Sequence, residues 1–440
     1  MPWLSLTPTI TLSNNDGCNI CFKPGYIKYD VGIKMGTPIF EVDDLVKQYG
    51  IEVFSCNFPL IGDISLRVKS ILGRFFENIE DYSIDEIFCE IDAPLDQVQE
   101  MCREVRRVIG KGLGLPISIG VAHTKTLAKV ATSFAKKYPG YNGVCSINTD
   151  YQRKKALSLT EIGDIWGIGK EHRKKLHRRS IFTALDWLEK MSGCTARKVM
   201  GGVVAERTYR ELEGLSCLSL EMIAPKKKNI MVSRSFGENI TDPDLIAEAL
   251  SSYVVMLTAK LRKQKSKAQT IYVFLETNRF REQDEQAEDE IIIKLPVASS
   301  SDIEIGEYAK IAIKAMFRKG LRYKKTGIMA MHLCDENAIQ GNLMDRRDRA
   351  KEDRLMKAKD KINERWGANT VKPLSVGLGK RPWNIRQEKL PPYWSTRITD
   401  IPVVRDWPQN STADVPGLQL PEYIEMKPMS GIYPSVLQVV

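Results

Sequence analysis

Two adjacent carboxylates, Asp85 and Glu86, stand near the middle of the run Asp81-Tyr82-Ser83-Ile84-Asp85-Glu86-Ile87-Phe88-Cys89-Glu90. The apolar set Tyr82, Ile84, Ile87 and Phe88 predicts a β-strand. Acidic neighbours inside a strand repel each other and are poor strand formers. A bound divalent cation would offset that cost, since oxygen ligands on one rigid edge suit Mg²⁺. Solvated acids on an edge strand are the plainer alternative. Further along, residues 115–122 read as a second strand, which runs through His123-Thr124-Lys125 into a helix over 126–137.

The elements that must position these residues belong to a chain of 440 residues, long enough for about three domains with their own cores. An excess of 65 Lys+Arg over 55 Asp+Glu, a net charge of +10, favours a polyanionic partner. Nine cysteines without a signal peptide point to a reducing, cytoplasmic setting. Cys18 and Cys21 lack a second Cys or His pair, and the four histidines are scattered, so neither a zinc site nor a His-based metal site is expected. No apolar run approaches the ~20 residues that span a membrane.

The ordered pair S-I-D-E (83–86) and G-V-A-x-T-K-T-L-A-K-x-A (120–131) resembles the palm of Y-family translesion DNA polymerases, and most of all their UmuC branch, the catalytic subunit of SOS mutagenic polymerases. The resemblance implies an α/β (α+β) right-hand fold with palm and fingers over 1–150 and a helical thumb over 151–227. A split βαβ little finger over 228–337 and a clamp- and partner-binding tail over 338–440 complete it. It also implies two Mg²⁺ ions, bridged by Asp85 with Glu86 on one of them, and Lys129 facing the nucleotide triphosphate.

Two departures from that pattern matter. Ser13-Asn14-Asn15-Asp16-Gly17-Cys18 resembles the family's strand-to-fingers junction, but the D-x-N-x-F-Y motif that precedes it in relatives does not stand in residues 1–12. With it go a third metal ligand and the aromatic gate against ribonucleotides; Asp16 lies on the wrong side of the strand to substitute. Residues 19–30 then diverge, with Pro24-Gly25 breaking the helix that relatives have there, and the triphosphate-binding basic position falls on Tyr29 beside Lys28. The palm sheet is therefore expected to lack a strand.

Residues 95–109 read as an amphipathic helix under the sheet. Ile165-Trp166-Gly167-Ile168-Gly169-Lys170 is a helix-hairpin-helix signature, in which Gly167 and Gly169 let backbone amides approach a phosphate. Lys170, Arg173 and Lys174 head a basic helix that continues to Arg179; a solvated helix face is the alternative. Strands 230–236, 270–277, 290–296 and 326–333 with helices 244–261 and 303–317 predict the β-α-β-β-α-β order. Arg234 matches the opening of the little finger, and Lys260, Arg262, Lys263, Lys265 and Lys267 form a second cluster where phosphates could be met. Gln340, Leu343 and Met344 resemble the peptide that docks in the bacterial sliding clamp. Residues 345–366 read as a charged helix, 383–397 resemble the region linked to UmuD-type subunits and the recombinase filament, and 405–440 read as an extended or disordered tail.

The expected partners are primer-template DNA, deoxynucleoside triphosphates and the clamp, with no membrane. Three functions remain open: an active error-prone polymerase whose first strand and helix are missing from the sequence, a catalytically impaired DNA- and clamp-binding remnant, and, more weakly, an unrelated helix-hairpin-helix repair protein.

Overall fold

A computed structural model describes residues 8–13, 19–22, 27, 31–393, 395–400 and 435–439. Two compact units emerge, one of residues 1–56 with 225–391, the other of 57–224 with 392–440. The Asn-Asp turn at 14–18 and the Lys28-Tyr29 position lie outside the described residues.

The first unit begins with strand β1 (Thr9–Leu12), whose alternation of threonine with Ile10 and Leu12 buries one face. It pairs antiparallel with β2 (Ile20–Phe22). Helix α1 (Asp43–Gln48) leads into β3 (Glu52–Ser55), parallel to β1.

In the second unit, helix α2 (Phe58–Leu72) precedes the hairpin β4 (Asn78–Asp81) and β5 (Ile87–Ile91). The carboxylate pair therefore lies in the turn between two strands, not inside one. Ser83 explains it: its hydroxyl accepts the Glu86 amide at 3.1 Å, and its own amide donates to the Glu86 carbonyl at 3.0 Å. Local side-chain bonding of this kind competes with strand pairing. Helix α3 (Leu95–Leu113) buries Val98, Cys102, Val105 and Ile109. Strand β6 (Ile119–Ala122) is shorter than expected, since Pro116 has no N–H for a ladder. It leads into α4 (Lys125–Lys137), capped by the Thr124 hydroxyl on the Leu127 amide, and β7 (Val144–Ile147) follows. Helices α5 (Asp150–Ser158), α6 (Lys170–His177), α7 (Ala184–Lys190), α8 (Gly193–Met200) and α9 (Val203–Glu213) pack around the buried Trp187.

Back in the first unit run β8 (Ile230–Ile240), α10 (Pro243–Lys263), β9 (Ser266–Thr277), β10 (Glu288–Ser299), α11 (Asp302–Met316) and β11 (Tyr323–Asp335). They form one antiparallel sheet in the order β10-β9-β11-β8, the expected β-α-β-β-α-β arrangement. Helix α12 (Arg349–Trp366) starts four residues later than the sequence suggested, where Asp348 caps it.

Residues 435–439 are a strand, β12 (Ser435–Val439), which corrects the tail reading over those five residues; 405–434 and 440 lie outside the described residues. It lies at the centre of the second unit's sheet, in the order β4-β5-β12-β6-β7, antiparallel to both β5 and β6. The palm sheet expected to lack a strand is filled by the far end of the chain. Leu437 and Val439 join the core beneath it. No described helix is long and apolar enough to cross a membrane.

Candidate functional site

The acidic turn and helix α4 meet in the second unit. Lys129 donates to Glu86 Oε2 at 2.7 Å, and its ammonium lies 4.6 Å from the Tyr82 ring centre and 5.2 Å from that of Trp166. These are cation–π distances. Tyr82 and Trp166 meet edge to face, joined by the indole N–H donating to the Tyr82 hydroxyl at 2.9 Å. Glu86 is half-buried, whereas Asp85 is exposed and accepts the Ser83 hydroxyl at 2.6 Å. A cavity of about 220 Å³ opens beside the pair, lined by Glu86, Lys129, Ser133, Lys136, Trp166 and Gln438 among others. Lys136 lies on its solvent side with its pKa lowered, chiefly by desolvation of its ammonium, with Lys129 adding to the effect and Glu86 and Asp85 opposing it.

One turn before Lys129, Lys125 makes a different contact. It is buried, ion-paired with the buried Glu80 of β4, and donates to the Ser219 carbonyl at 2.7 Å. Glu80 Oε2 also accepts the Glu221 amide at 2.7 Å. The two lysines, i and i+4 on one helix face, thus grip the β4–β5 hairpin on either side of its turn. The start of α4 is anchored again by Glu211, fully buried in α9, which accepts from the Thr126 amide and hydroxyl and from the Cys217 and Leu218 amides. Sequence reasoning found Lys129 but missed Lys125, Glu80, Glu211, Lys136 and Gln438. The helix was expected from 126, one residue past Lys125; two lysines spaced by four, with acids at 80 and 86, are the signal that could have found the first two.

Of the two glycines of the predicted hairpin, only Gly167 has a backbone that calls for glycine. Gly167 has φ +88°, a backbone region that favours glycine, and Gly169 caps α6. Lys170 is exposed, while Arg173 pairs with Glu161 and Lys174 with Glu171, both at the surface.

In the first unit Arg234 is half-buried on β8 and donates to the Ser233 carbonyl. Of the cluster 260–267, two members are not available to phosphates, contrary to expectation. Arg262 bonds Asp360, Asp302 and the Ser300 carbonyl, and the buried Lys267 pairs with Asp353, so both hold α12 in place. Lys260, Lys263 and Lys265 remain exposed. Gln340, Leu343 and Met344 lie on an irregular segment, with both apolar side chains largely or fully in solvent.

The sequence pattern of the impB/mucB/samB family matches residues 1–133, that of the family's C-terminal domain matches 227–343, and a domain of unknown function matches 353–404. Protein UmuC of Salmonella typhimurium strain LT2 is 34% identical over 404 residues, covering 91% of this chain and 94% of that protein. Protein ImpB of Salmonella typhimurium is 33% identical over 410 residues, covering 92% and 95%. Among solved structures, a Y-family DNA polymerase chimera of Dbh and Dpo4 superposes with a TM-score of 0.59 at 17% identity, over 76% of this chain and 94% of the other. The chain belongs to the impB/mucB/samB family, and its fold is that of a Y-family DNA polymerase.

Proposed function

We propose that this protein binds primer-template DNA and deoxynucleoside triphosphates as an error-prone translesion polymerase of SOS mutagenesis, in the cytoplasm, with nucleotidyl transfer strongly impaired in the chain as written. Family membership and fold support the class. The observation that carries the site assignment is the contact of Glu86 with Lys129 at one polar cavity, with Asp85 next to Glu86 in the same turn. Lys129 would meet the triphosphate, where positive charge offsets what develops in transfer.

Mg²⁺ is the implied metal, and the residues present fit a two-ion cage poorly. Glu86 Oε2 already carries the Lys129 ammonium at 2.7 Å, and among the described residues no group of three His, Cys, Asp or Glu side chains is placed to hold an ion. The impaired transfer follows from this shortage of ligands among the described residues.

The exposed Lys170 and the hairpin of Gly167 and Gly169, with Arg173, Lys174 and Arg234, would meet the duplex backbone. Gln340, Leu343 and Met344 would dock on the bacterial sliding clamp, and 383–397 would contact UmuD-type subunits or the recombinase filament. The proposed functional segments are palm and fingers over 1–150, thumb over 151–227, little finger over 228–337 and tail over 338–440.

Single-nucleotide incorporation on a primer-template, with binding measured in parallel, tests the reading. Expected are duplex binding that weakens with salt, by about −0.9 in log-log slope per phosphate contact, and little or no incorporation. Absence of duplex binding would reject the polymerase class, and robust incorporation abolished by Asp85→Ala would reject the impairment. Leu343→Ala with Met344→Ala should weaken clamp binding by about 2–4 kcal/mol and leave DNA binding unchanged.

A further inference from the structure

Strands β5 and β6 carry the two halves of the candidate site but do not pair with each other. β5 begins directly after Glu86, and β6 runs through His123 and Thr124 into α4, which carries Lys129. β12 lies between them, in ladders with both. We propose that the C-terminal segment Ser435–Val439 is an internal donor strand: it inserts into a strand-acceptor slot between β5 and β6, sets the spacing of Glu86 and Lys129, and contributes Gln438 to the cavity.

Three observations carry this. Neighbouring strands lie ~4.8 Å apart, so β5 and β6 stand two spacings apart with the strand in place. Without it they expose two rows of unpaired backbone groups, or close by one spacing and move Glu86 relative to Lys129. Next, the segment's alternation fits the slot. Leu437, opposite Cys89 and Val121, and Val439 enter the apolar core, while Gln438, opposite Phe88 and Gly120, takes the other face. On that face Gly120 lets α4 pack directly on the sheet beside the strand; a Cβ there would lie 2.2 Å from the Ala128 carbonyl oxygen of α4. Finally, Gln438 is 1% exposed, its side-chain nitrogen has no hydrogen-bond partner among the described residues, and it lines the cavity with Glu86 and Lys129. An orphaned buried amide costs stability, so its place at a polar cavity points to use as a donor toward what enters there. The proposal concerns the sheet and holds whether or not the chain incorporates nucleotides.

Cys89 supplies the readout. It is fully buried across from Leu437, and burial pushes its thiol up to about 12 from 9.0. Removing residues 435–440 should expose it. Restoring an ordinary thiol pKa alone raises its thiolate fraction at pH 8 by about three decades, so alkylation of Cys89 should accelerate by more than about a hundredfold. Amide exchange in 87–91 and 119–122 should accelerate with it, and a peptide of residues 435–440 added in trans should restore both.

A second measurement uses the full chain, in case the shortened one does not fold. Residues opposite each other in antiparallel strands have Cα atoms ~4.5–5.5 Å apart, within disulfide reach. Leu437→Cys in a Cys102→Ser background should therefore oxidise to a disulfide with Cys89 inside single chains, detected as a linked peptide. Unchanged Cys89 alkylation and amide exchange on truncation, or absence of the linked peptide, would overturn the proposal. A disulfide that forms only between chains would overturn the assignment of the strand to its own slot.

Discussion

Replacing Glu211 with alanine removes four hydrogen bonds, two to the first turn of α4 and two to the segment after α9. Oε2 accepts from the Thr126 amide at 3.0 Å and the Thr126 hydroxyl at 3.1 Å; Oε1 accepts from the amides of Cys217 at 2.7 Å and Leu218 at 3.1 Å. Thr126 is 1% exposed, so its amide would be stranded at a cost of about 1–3 kcal/mol. Its hydroxyl can turn elsewhere, and the part-buried Cys217 and Leu218 amides regain water at smaller cost. Relief from burying a carboxylate works the other way. The net loss should be about 2–4 kcal/mol. At about 1.4 kcal/mol per decade, amide exchange across Lys125–Lys137 should accelerate about 30- to 700-fold, measured by mass spectrometry of that peptide. Glu211→Gln keeps one acceptor oxygen and should fall between alanine and the native chain. Exchange in Glu211→Ala within threefold of native would refute the reasoning and make the bonds to Glu211 incidental to α4.

Gly120→Ala should cost at least about 1–3 kcal/mol in thermal or urea unfolding, because the new Cβ meets backbone, 2.2 Å from the Ala128 oxygen and 2.4 Å from the Thr132 nitrogen. Arg262→Ala should loosen α12, since it frees Asp360 and takes one cation from the buried Asp302, which keeps Lys359 and Thr258; limited proteolysis should then cut faster within Arg349–Trp366 than in the native chain. Cys102 gives a pH dependence with a fixed sign. Burial pushes its thiol from 9.0 up to about 12, so the folded state holds a proton that the unfolded state loses. Its contribution is fully present below pH 9 and is lost as pH rises toward about 12, and the stability difference between native and Cys102→Ala should narrow across that window.

The β-α-β-β-α-β sheet of the first unit was legible because each strand and helix carries its own apolar period, from Ile230 through Asp335. Lys129 was legible through its motif. The turn at 82–86 was not, because Tyr82, Ile84 and Phe88 imitate a strand's alternation while the Ser83 hydroxyl, which ends the strand, adds no apolar signal. Arg262 and Lys267 read as phosphate contacts for a related reason. Their charges are visible locally, whereas the acids that neutralise them, Asp302, Asp353 and Asp360, stand far along the chain.

The central strand of the second unit is the extreme case. Ser435-Val436-Leu437-Gln438-Val439 has one polar residue among apolar ones, a pattern that says only that one face prefers burial. Its place depends on β5 and β6 having inner edges to satisfy, and that need is written at residues 87–91 and 119–122, over three hundred positions away. A ladder is shared property: each backbone group on one strand is satisfied only by a group on another. The acceptor's need and the donor's supply are thus recorded in different parts of the chain, and neither is a local pattern. The same logic explains why the carboxylate pair and Lys129 could be named separately from sequence, while their 2.7 Å contact could not, since it is fixed by the strand that stands between the elements carrying them.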